Sequence, residues 1–489
     1  MLCDSGLVNV NVDSASIDLG AAARRWTWLA YAYGLLVSAV LGYFLLGLVI
    51  QVSDSFGNLL AVQSVSLEDL VRDQFSQRGY LRPLLWAQVK IVYELAAGQY
   101  YLWFRGIHVI QVALLIGLCV RLMRPRTRLD AALVPLALAA LIGSHTFAPL
   151  VREAFPINSF LTIAIACVVA ANVAFGQRSR WYSDAAIVVL LVGCVLTVES
   201  GILIWVVCAV AYFLGARGVS RRALVAMTAC LMTYVAARML VLDVGAPSLA
   251  ERASGFGFGI LEPSDLIARF QERPWVFYAY NVASSISTVL FSEPKGGVWR
   301  FVWELTVGNI HPWTVVSVLS STAASVLLLW FARRQRLWMR RATRTYEDQL
   351  VIVFFAVLVV NAVISFPYTK NVIMSPAGVF LSVAVYHAAR AWLQDVARQR
   401  LVVSIVLFTV LTCGWAFRVA GNHYNLRWTA AEQRAEWVTV DQWLERQRIT
   451  LRDDRAHALR DALRRDAVWN HATPFQPSSA WGRWFDIDW

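Results

Sequence analysis

Residues 26–50 read WTWLAYAYGLLVSAVLGYFLLGLVI, an apolar run without a charge, preceded by Arg24 and Arg25 and followed closely by Asp54. A run of this length suits the ~20 residues that carry a helix across a ~30 Å hydrocarbon core. Comparable runs follow at 102–122, 130–149, 158–175, 184–198, 201–215, 222–242, 312–332, 349–366, 373–390 and 401–420, about eleven predicted spans in all. Backbone groups find no water in lipid, so these spans must be helices. The pair 184–198 and 201–215 is short and reads as a shallow hairpin that stops before the far headgroups. The predicted fold class is an all-α polytopic membrane protein.

The loops between the spans alternate in character. Arg24 and Arg25, Arg121, Arg124, Arg126 and Arg128, Arg178 and Arg180, and Arg217, Arg221 and Arg222 fall on one side of such a chain. Arg333, Arg334, Arg336, Arg340, Arg341 and Arg344, then Arg390, Arg398 and Arg400, fall on that same side. Lys and Arg in short loops mark the cytoplasmic face. The segment 1–25 is then cytoplasmic and the tail 421–489 is not. The chain is 58% hydrophobic and 16% charged, and its formal net charge of +12 follows from this loop bias, so no nucleic-acid partner is expected. Asp4, Asp13 and Asp18 precede the first basic residue, which is unlike a cleavable signal, and span 1 reads as a retained anchor. Cys119, Cys167, Cys194, Cys208, Cys230 and Cys413 lie inside apolar spans as small hydrophobes, with no disulfide framework or metal spacing.

Polar material gathers at 51–101, 243–311 and 421–489, leaving seven spans over 26–242 and four over 312–420. Ser66-Leu-Glu-Asp69 is a helix start, with Ser66 as N-cap of a helix over 66–77. After the Gly79–Pro83 break, Leu84, Leu85, Val89, Val92 and Tyr93 predict a second amphipathic helix. Segments 263–272 and 274–291 read as interfacial helices, with Trp275, Phe277, Tyr278 and Tyr280 as an aromatic belt. The glycine-rich stretch 255–259 reads as a flexible loop not preceded by a strand. The tail is predicted helical at 429–447 and 451–467, and its end at 481–489 is apolar enough to dock.

No phosphate-cradling glycine loop and no zinc-type His pair is present, which argues against a cytoplasmic nucleotide-activated substrate. Ionisable residues gather instead at the outer ends of the spans: Asp54, Arg82, His145, Arg152, Glu153, Glu199, Arg238 and Lys370. Charge so close to hydrocarbon is costly. Carboxylates and cations at one face suit a reaction on an anionic lipid, with cations holding a phosphate and a carboxylate taking a proton. Each residue has a plainer reading. Asp54 is also a loop acid, Arg82 and Lys370 also snorkelling cations, Glu199 also a turn acid, and His145 also a packing residue.

Asp54 after span 1 and Tyr80-x-Arg82-Pro83-Leu84 in the same loop resemble the C-type superfamily of membrane glycosyltransferases. The chain is most similar to the branch of protein O-mannosyltransferases and related bacterial sugar transferases. Phe104-Arg-Gly-Ile-His-Val-Ile-Gln-Val-Ala-Leu-Leu115, Val151-Arg-Glu-Ala-Phe155 and Leu196-Thr-Val-Glu-Ser-Gly201 follow in the order of that family's elements. Thr369-Lys-Asn-Val-Ile-Met-Ser-Pro376 is similar to its Arg-Tyr-x-x-x-x-Pro element. Two departures stand out. Ser53-Asp54-Ser55 has one acid where many relatives have two adjacent ones, which leaves Asp69 or Asp73 as candidate second acids, and Lys370 replaces the usual Arg.

The resemblance implies a polyprenyl-phosphate-sugar-dependent, inverting glycosyltransferase of a bacterial inner membrane. Its site would face the periplasm and its acceptor would be a glycan or protein hydroxyl. Asp54 would be the base. Arg82 and Lys370 would bind the donor phosphate rather than hold the fold, with Arg152 or Arg238 as further phosphate contacts, supported by Glu199, Glu153, His145 and Tyr80. A divalent cation, Mg or Mn, is compatible with a phosphate leaving group. An O-antigen polymerase or ligase, with arginines in 243–311, and a lipid-linked sugar flippase are the alternatives. The flippase reading calls for repeat symmetry and midplane charges, neither of which is seen.

Overall fold

The computed structural model describes residues 12–75, 81–152, 159–176, 178–242, 249, 253–257, 259–271, 274–293, 298–337, 344–367, 369, 371–469 and 484–485, with the backbone alone at 12–22, 53, 54, 241 and 398. The chain begins with α1 (Val12–Leu45), and an outer segment follows with α2 (Gly57–Gln63), α3 (Leu67–Asp73) and α4 (Pro83–Ala96). Next come α5 (Tyr100–Met123), α6 (Arg128–Ile142), α7 (Phe147–Arg152), α8 (Ser159–Ala174), α9 (Trp181–Val195), α10 (Ile202–Phe213) and α11 (Arg221–Ala236). A hairpin of β1 (Ser254–Phe256) and β2 (Gly259–Leu261) precedes α12 (Pro263–Phe270), α13 (Pro274–Phe291) and α14 (Val298–Val307). The remainder is α15 (Pro312–Arg334), α16 (Tyr346–Ile364), α17 (Ser375–Asp395), α18 (Leu401–Val438), α19 (Val440–Arg446) and α20 (Asp454–Trp469).

Among the described residues, seven helices are long and apolar enough to cross a membrane: most of α1, α5, α11 with its extension, α15, α16, α17 and α18. Three shorter apolar helices accompany them, at Ser159–Ala174, Trp181–Val195 and Glu199–Phe213. At 1.5 Å per residue, α9 and α10 are about 22 and 18 Å long, short of a ~30 Å core. The centre of the bundle is α17, buried from Ser375 to Ala389 and packed against α6, α8, α15 and α16. Its small residues let neighbouring backbones come close, as small residues do between membrane helices. Cys119, Cys167, Cys194 and Cys208 are buried among these packed side chains.

Hydrogen bonds sort the loops into two ends. At one end Thr27 Oγ1 donates to Pro125 O at 2.6 Å, Arg124 to Phe175 O at 2.6 Å and Tyr346 Oη to Leu122 O at 2.8 Å. Gln349 reaches Leu214 O at 2.8 Å, and Arg390 pairs with buried Asp130 at 2.9 Å and with Glu347 at 3.3 Å. These are the Arg-rich loops, and they gather together. At the other end lie the exit of α1, the 82 and 199 turns, the end of α7 and the distal half of α18.

That distal half is continuous helix through Gly421, where the sequence pattern suggested the polar tail begins. A methyl at Gly421 would lie 1.9 Å from the Trp313 ring, so only glycine lets α18 run this close to α15. The tail then folds back. Trp437, Val440, Leu444, Leu459 and Leu463 share a buried cluster with Val49, Ile50, Val52, Phe56, Val92 and Phe104. Two residues of the 481–489 stretch also dock: Trp313 N–H donates to Trp484 O at 3.2 Å, and Phe485 is buried with Trp313 and Tyr424.

Two expectations are corrected. Residues of the stretch 255–259 belong to an antiparallel hairpin, with Gly255 opposite Ile260, Phe256 opposite Gly259, and Gly257 at φ +63°, where glycine carries no strain. Tyr280 Oη accepts from Gly257 N at 2.7 Å, and Thr369 is bonded to Ser254 and Gly255. The rings of 274–280 are also not simply a belt. Trp275 is exposed, but Phe277 is fully buried, and Phe256, Phe270, Phe277 and Tyr280 pack on one another beneath the hairpin.

A helix not foreseen, α14, turns Trp299 and Trp303 outward and Glu304 inward. Glu304 accepts from Arg300 Nε at 2.8 Å, Thr314 Oγ1 at 2.9 Å and His311 N at 3.0 Å. Burial alone would raise its carboxyl, but these bonds outweigh burial and hold it below its ordinary 4.5. A depressed carboxyl stabilises above its unfolded value and stops doing so as pH falls through its folded value. Amide exchange over 298–315 is therefore expected to rise on acidification below pH 4.5, and Glu304→Gln is expected to remove most of that dependence.

Candidate functional site

The Arg-Pro-Leu element and the Thr-Val-Glu-Ser-Gly turn, far apart in sequence, meet. Pro83 opens α4 with Arg82 at its N-cap, a position where the missing proline N–H costs nothing. The chain leaves α9 through Leu196 and enters a short 3-10 turn, Glu199–Gly201. A methyl at Gly201 would lie 2.6 Å from the Cys194 and Val195 backbone, so glycine is what lets this turn fold onto α9. Leu84 N–H then donates to Leu196 O at 3.1 Å and Gln88 Nε2 to Thr197 Oγ1 at 3.1 Å, locking α4 to the turn.

Glu199 sits at the centre of the result. Arg82 donates to its Oε2 through Nε at 3.2 Å and Nη2 at 2.7 Å, while Arg238 Nη1 donates to its Oε1 at 3.1 Å. The three side chains are 21%, 15% and 16% exposed for Arg82, Glu199 and Arg238. Two guanidinium groups share this one carboxylate. Arg238 is carried by a π-helical turn, Ala237–Val241, that extends α11. Such wide turns are rare and recur at functional sites.

Beside the cluster an apolar groove of about 410 Å³ runs between α9 and α11, lined by Leu191, Val195, Cys230, Tyr234 and Ala237, with Leu81 and Phe75 at one side. Leu81 and Ala237 directly precede Arg82 and Arg238, and Tyr234 lies within electrostatic reach of Glu199, Arg238 and Arg82. Val189, Val225, Met232 and Leu240 are exposed on α9, α11 and its π-helical extension, an outward apolar surface fit for lipid. No family model matches the chain, and no curated protein or solved structure matches it.

The other candidates fall elsewhere. Asp54 belongs to a second π-helical turn, Val52–Phe56, immediately past the exit of α1, and its side chain lies outside the described residues. Tyr80, Glu153 and Lys370 also lie outside them. Asp69 bonds Ser66 Oγ at 2.6 Å in the cap of α3, and Asp73 is exposed on the same helix. His145 is buried against Trp313, at 6.2 Å between ring centroids. Arg152 ends α7, and its carbonyl accepts from Arg105 at 3.3 Å. Arg82 also departs from the expectation of a purely ligand-binding role, because its side chain ties α4 to the 199 turn. Among the described residues no group of three or more His, Cys, Asp or Glu side chains gathers for a metal.

Sequence reasoning passed over Arg105 and Arg418, each fully buried. Arg105 bonds backbone carbonyls of α1's exit. Arg418 bonds Ser292, Ser320 and Ser321 at 2.8, 3.2 and 2.8 Å. The signal was present: a charge inside an apolar run is expensive and calls for a partner.

Proposed function

We propose that this chain is an inverting glycosyltransferase of the C-type superfamily, taking sugar from a polyprenyl-phosphate donor in a bacterial inner membrane. The observation that carries the reading is the apolar groove between α9 and α11 that ends at two arginines, Arg82 and Arg238, joined through Glu199. An isoprenoid tail suits the groove, and a phosphate suits the cluster. Arg152 and Lys370 add positive charge in the sequence at the same end of the spans, the periplasmic end in this reading of eleven spans.

In this reaction the acceptor hydroxyl oxygen forms a bond to the anomeric carbon on the face opposite the phosphate. The anomeric C–O bond to phosphate breaks, and its electron pair leaves on the lipid phosphate. Asp54 takes the hydroxyl proton. The donor phosphodiester carries one negative charge and the departing phosphate develops a second, so the two arginines stabilise the transition state more than the ground state. The Arg82–Glu199 and Arg238–Glu199 bonds keep both guanidinium groups oriented before the donor arrives.

Mass spectrometry of surface glycans and exported proteins tests the reading. A strain lacking the gene is expected to miss one sugar substituent, restored by the intact gene and not by a version with Arg238→Ala. Unchanged glycans and glycoproteins in the deletion strain would remove it.

A further inference from the structure

The backbone that leads from α1 to Asp54 has no regular structure of its own. Helix α1 ends at Leu45, a tight turn follows, and residues 48–51 are irregular until the π-turn Val52–Phe56. Backbone carbonyls in such an irregular, buried stretch are costly unless a donor reaches them. Here four in succession are taken by side chains from distant helices. Gly47 O accepts from Arg434 at 2.7 Å, Leu48 O and Val49 O from Arg105 at 2.7 and 3.0 Å, and Ile50 O from Trp437 Nε1 at 2.6 Å. Arg105 comes from α5. Arg434 and Trp437 are three residues apart and project from one face of α18 beyond the predicted membrane span.

Trp437 also reaches past the acid. Its ring packs on Phe56 at 5.2 Å between centroids, and Trp443 of α19 packs on the same ring at 6.1 Å. The tail therefore holds the five-residue turn on both flanks: at Ile50 before it and at Phe56 at its end.

We infer that the C-terminal tail is a positioning element for the Asp54 turn, with Trp437 and Arg434, assisted by Arg105, as positioning residues. The inference rests on the reading of Asp54 as the base. A base on a short irregular turn works only if that turn is held closely, since a displacement near 1 Å costs about 100-fold in rate. The tail supplies this restraint through hydrogen bonds to backbone carbonyls. Its effect is therefore on the turn's geometry and not on the groove, which α9 and α11 build without it.

Trp437→Phe keeps an aromatic ring beside Phe56 and removes the indole N–H together with part of the ring volume. Three measurements on the full-length protein test the idea: amide exchange and polyprenyl-phosphate binding in nanodiscs, and the rate of sugar appearance on surface glycan or glycoprotein in a deletion strain complemented with the variant. Exchange over 46–56 is expected to rise at least severalfold while α5 and α15 are unchanged. Polyprenyl-phosphate affinity is expected to stay as in wild type, and transfer to fall about tenfold. Unchanged exchange over 46–56, wild-type transfer, or a matching fall in lipid affinity each overturns the inference. Asp54→Asn runs alongside. Wild-type transfer in that variant removes the base itself, and the exchange result still decides whether the tail holds the turn.

Discussion

Asp54→Asn is expected to fold, insert and bind polyprenyl phosphate like wild type while transferring sugar at least ~100-fold more slowly. The substitution keeps the shape of the side chain and removes its ability to take a proton. The turn that bears it, Val52–Phe56, follows the exit of the first membrane helix, where the headgroup of a lipid-linked donor would lie. Asp69 is occupied in capping α3 through Ser66, and Asp73 is exposed on that helix. Asp69→Asn and Asp73→Asn are therefore expected to transfer within a few-fold of wild type. A dead Asp69 or Asp73 variant beside an active Asp54→Asn would move the base into α3.

The second large effect is on stability. Glu199→Ala removes the carboxylate that two guanidinium groups share and leaves Arg82 and Arg238 side by side in a poorly solvated pocket. Breaking a fully buried ion pair costs about 3–5 kcal/mol. The three side chains here keep a little exposure, so about 2–4 kcal/mol is expected. Glu199→Gln, which still accepts one hydrogen bond, is expected to lose roughly half of that. Thermal unfolding of the purified protein checks both. A surface turn acid would cost no more than about 0.5 kcal/mol, and such a value would mean that the cluster does not hold the α4–α9 junction.

Much of the fold was legible because membrane helices obey few rules. Apolar length marked the helices, Ser66 marked the start of α3, and the arginine bias separated loops that the structure gathers at one end. What the sequence hid was long-range. Nothing local tells that Trp437 meets Ile50, or that the tail returns to the exit of α1, because side chain-to-carbonyl bonds leave no periodic trace. The 255–259 glycines looked like flexibility because a three-residue strand is too short to show alternation. Phe277 looked like an interface ring because its burying partners, Phe256 and Phe270, belong to other elements. For the site, Arg82, Glu199 and Arg238 were each visible as costly charges near hydrocarbon. Their convergence on one carboxylate was not, since it depends on the Gly201 turn and on a π-turn at the end of α11.

The most direct measurement is photo-crosslinking with a polyprenyl phosphate carrying a photoreactive group in its first isoprene units, on the full-length protein in nanodiscs, with the modified peptides read by mass spectrometry. Crosslinks are expected within 191–196 and 229–237, competed by unlabelled polyprenyl phosphate and not by the neutral polyprenol, and reduced by Arg238→Ala. Crosslinks confined to other helices, or labelling of the groove that polyprenol competes as well as its phosphate, would contradict a lipid-phosphate donor site at the Arg82–Glu199–Arg238 cluster.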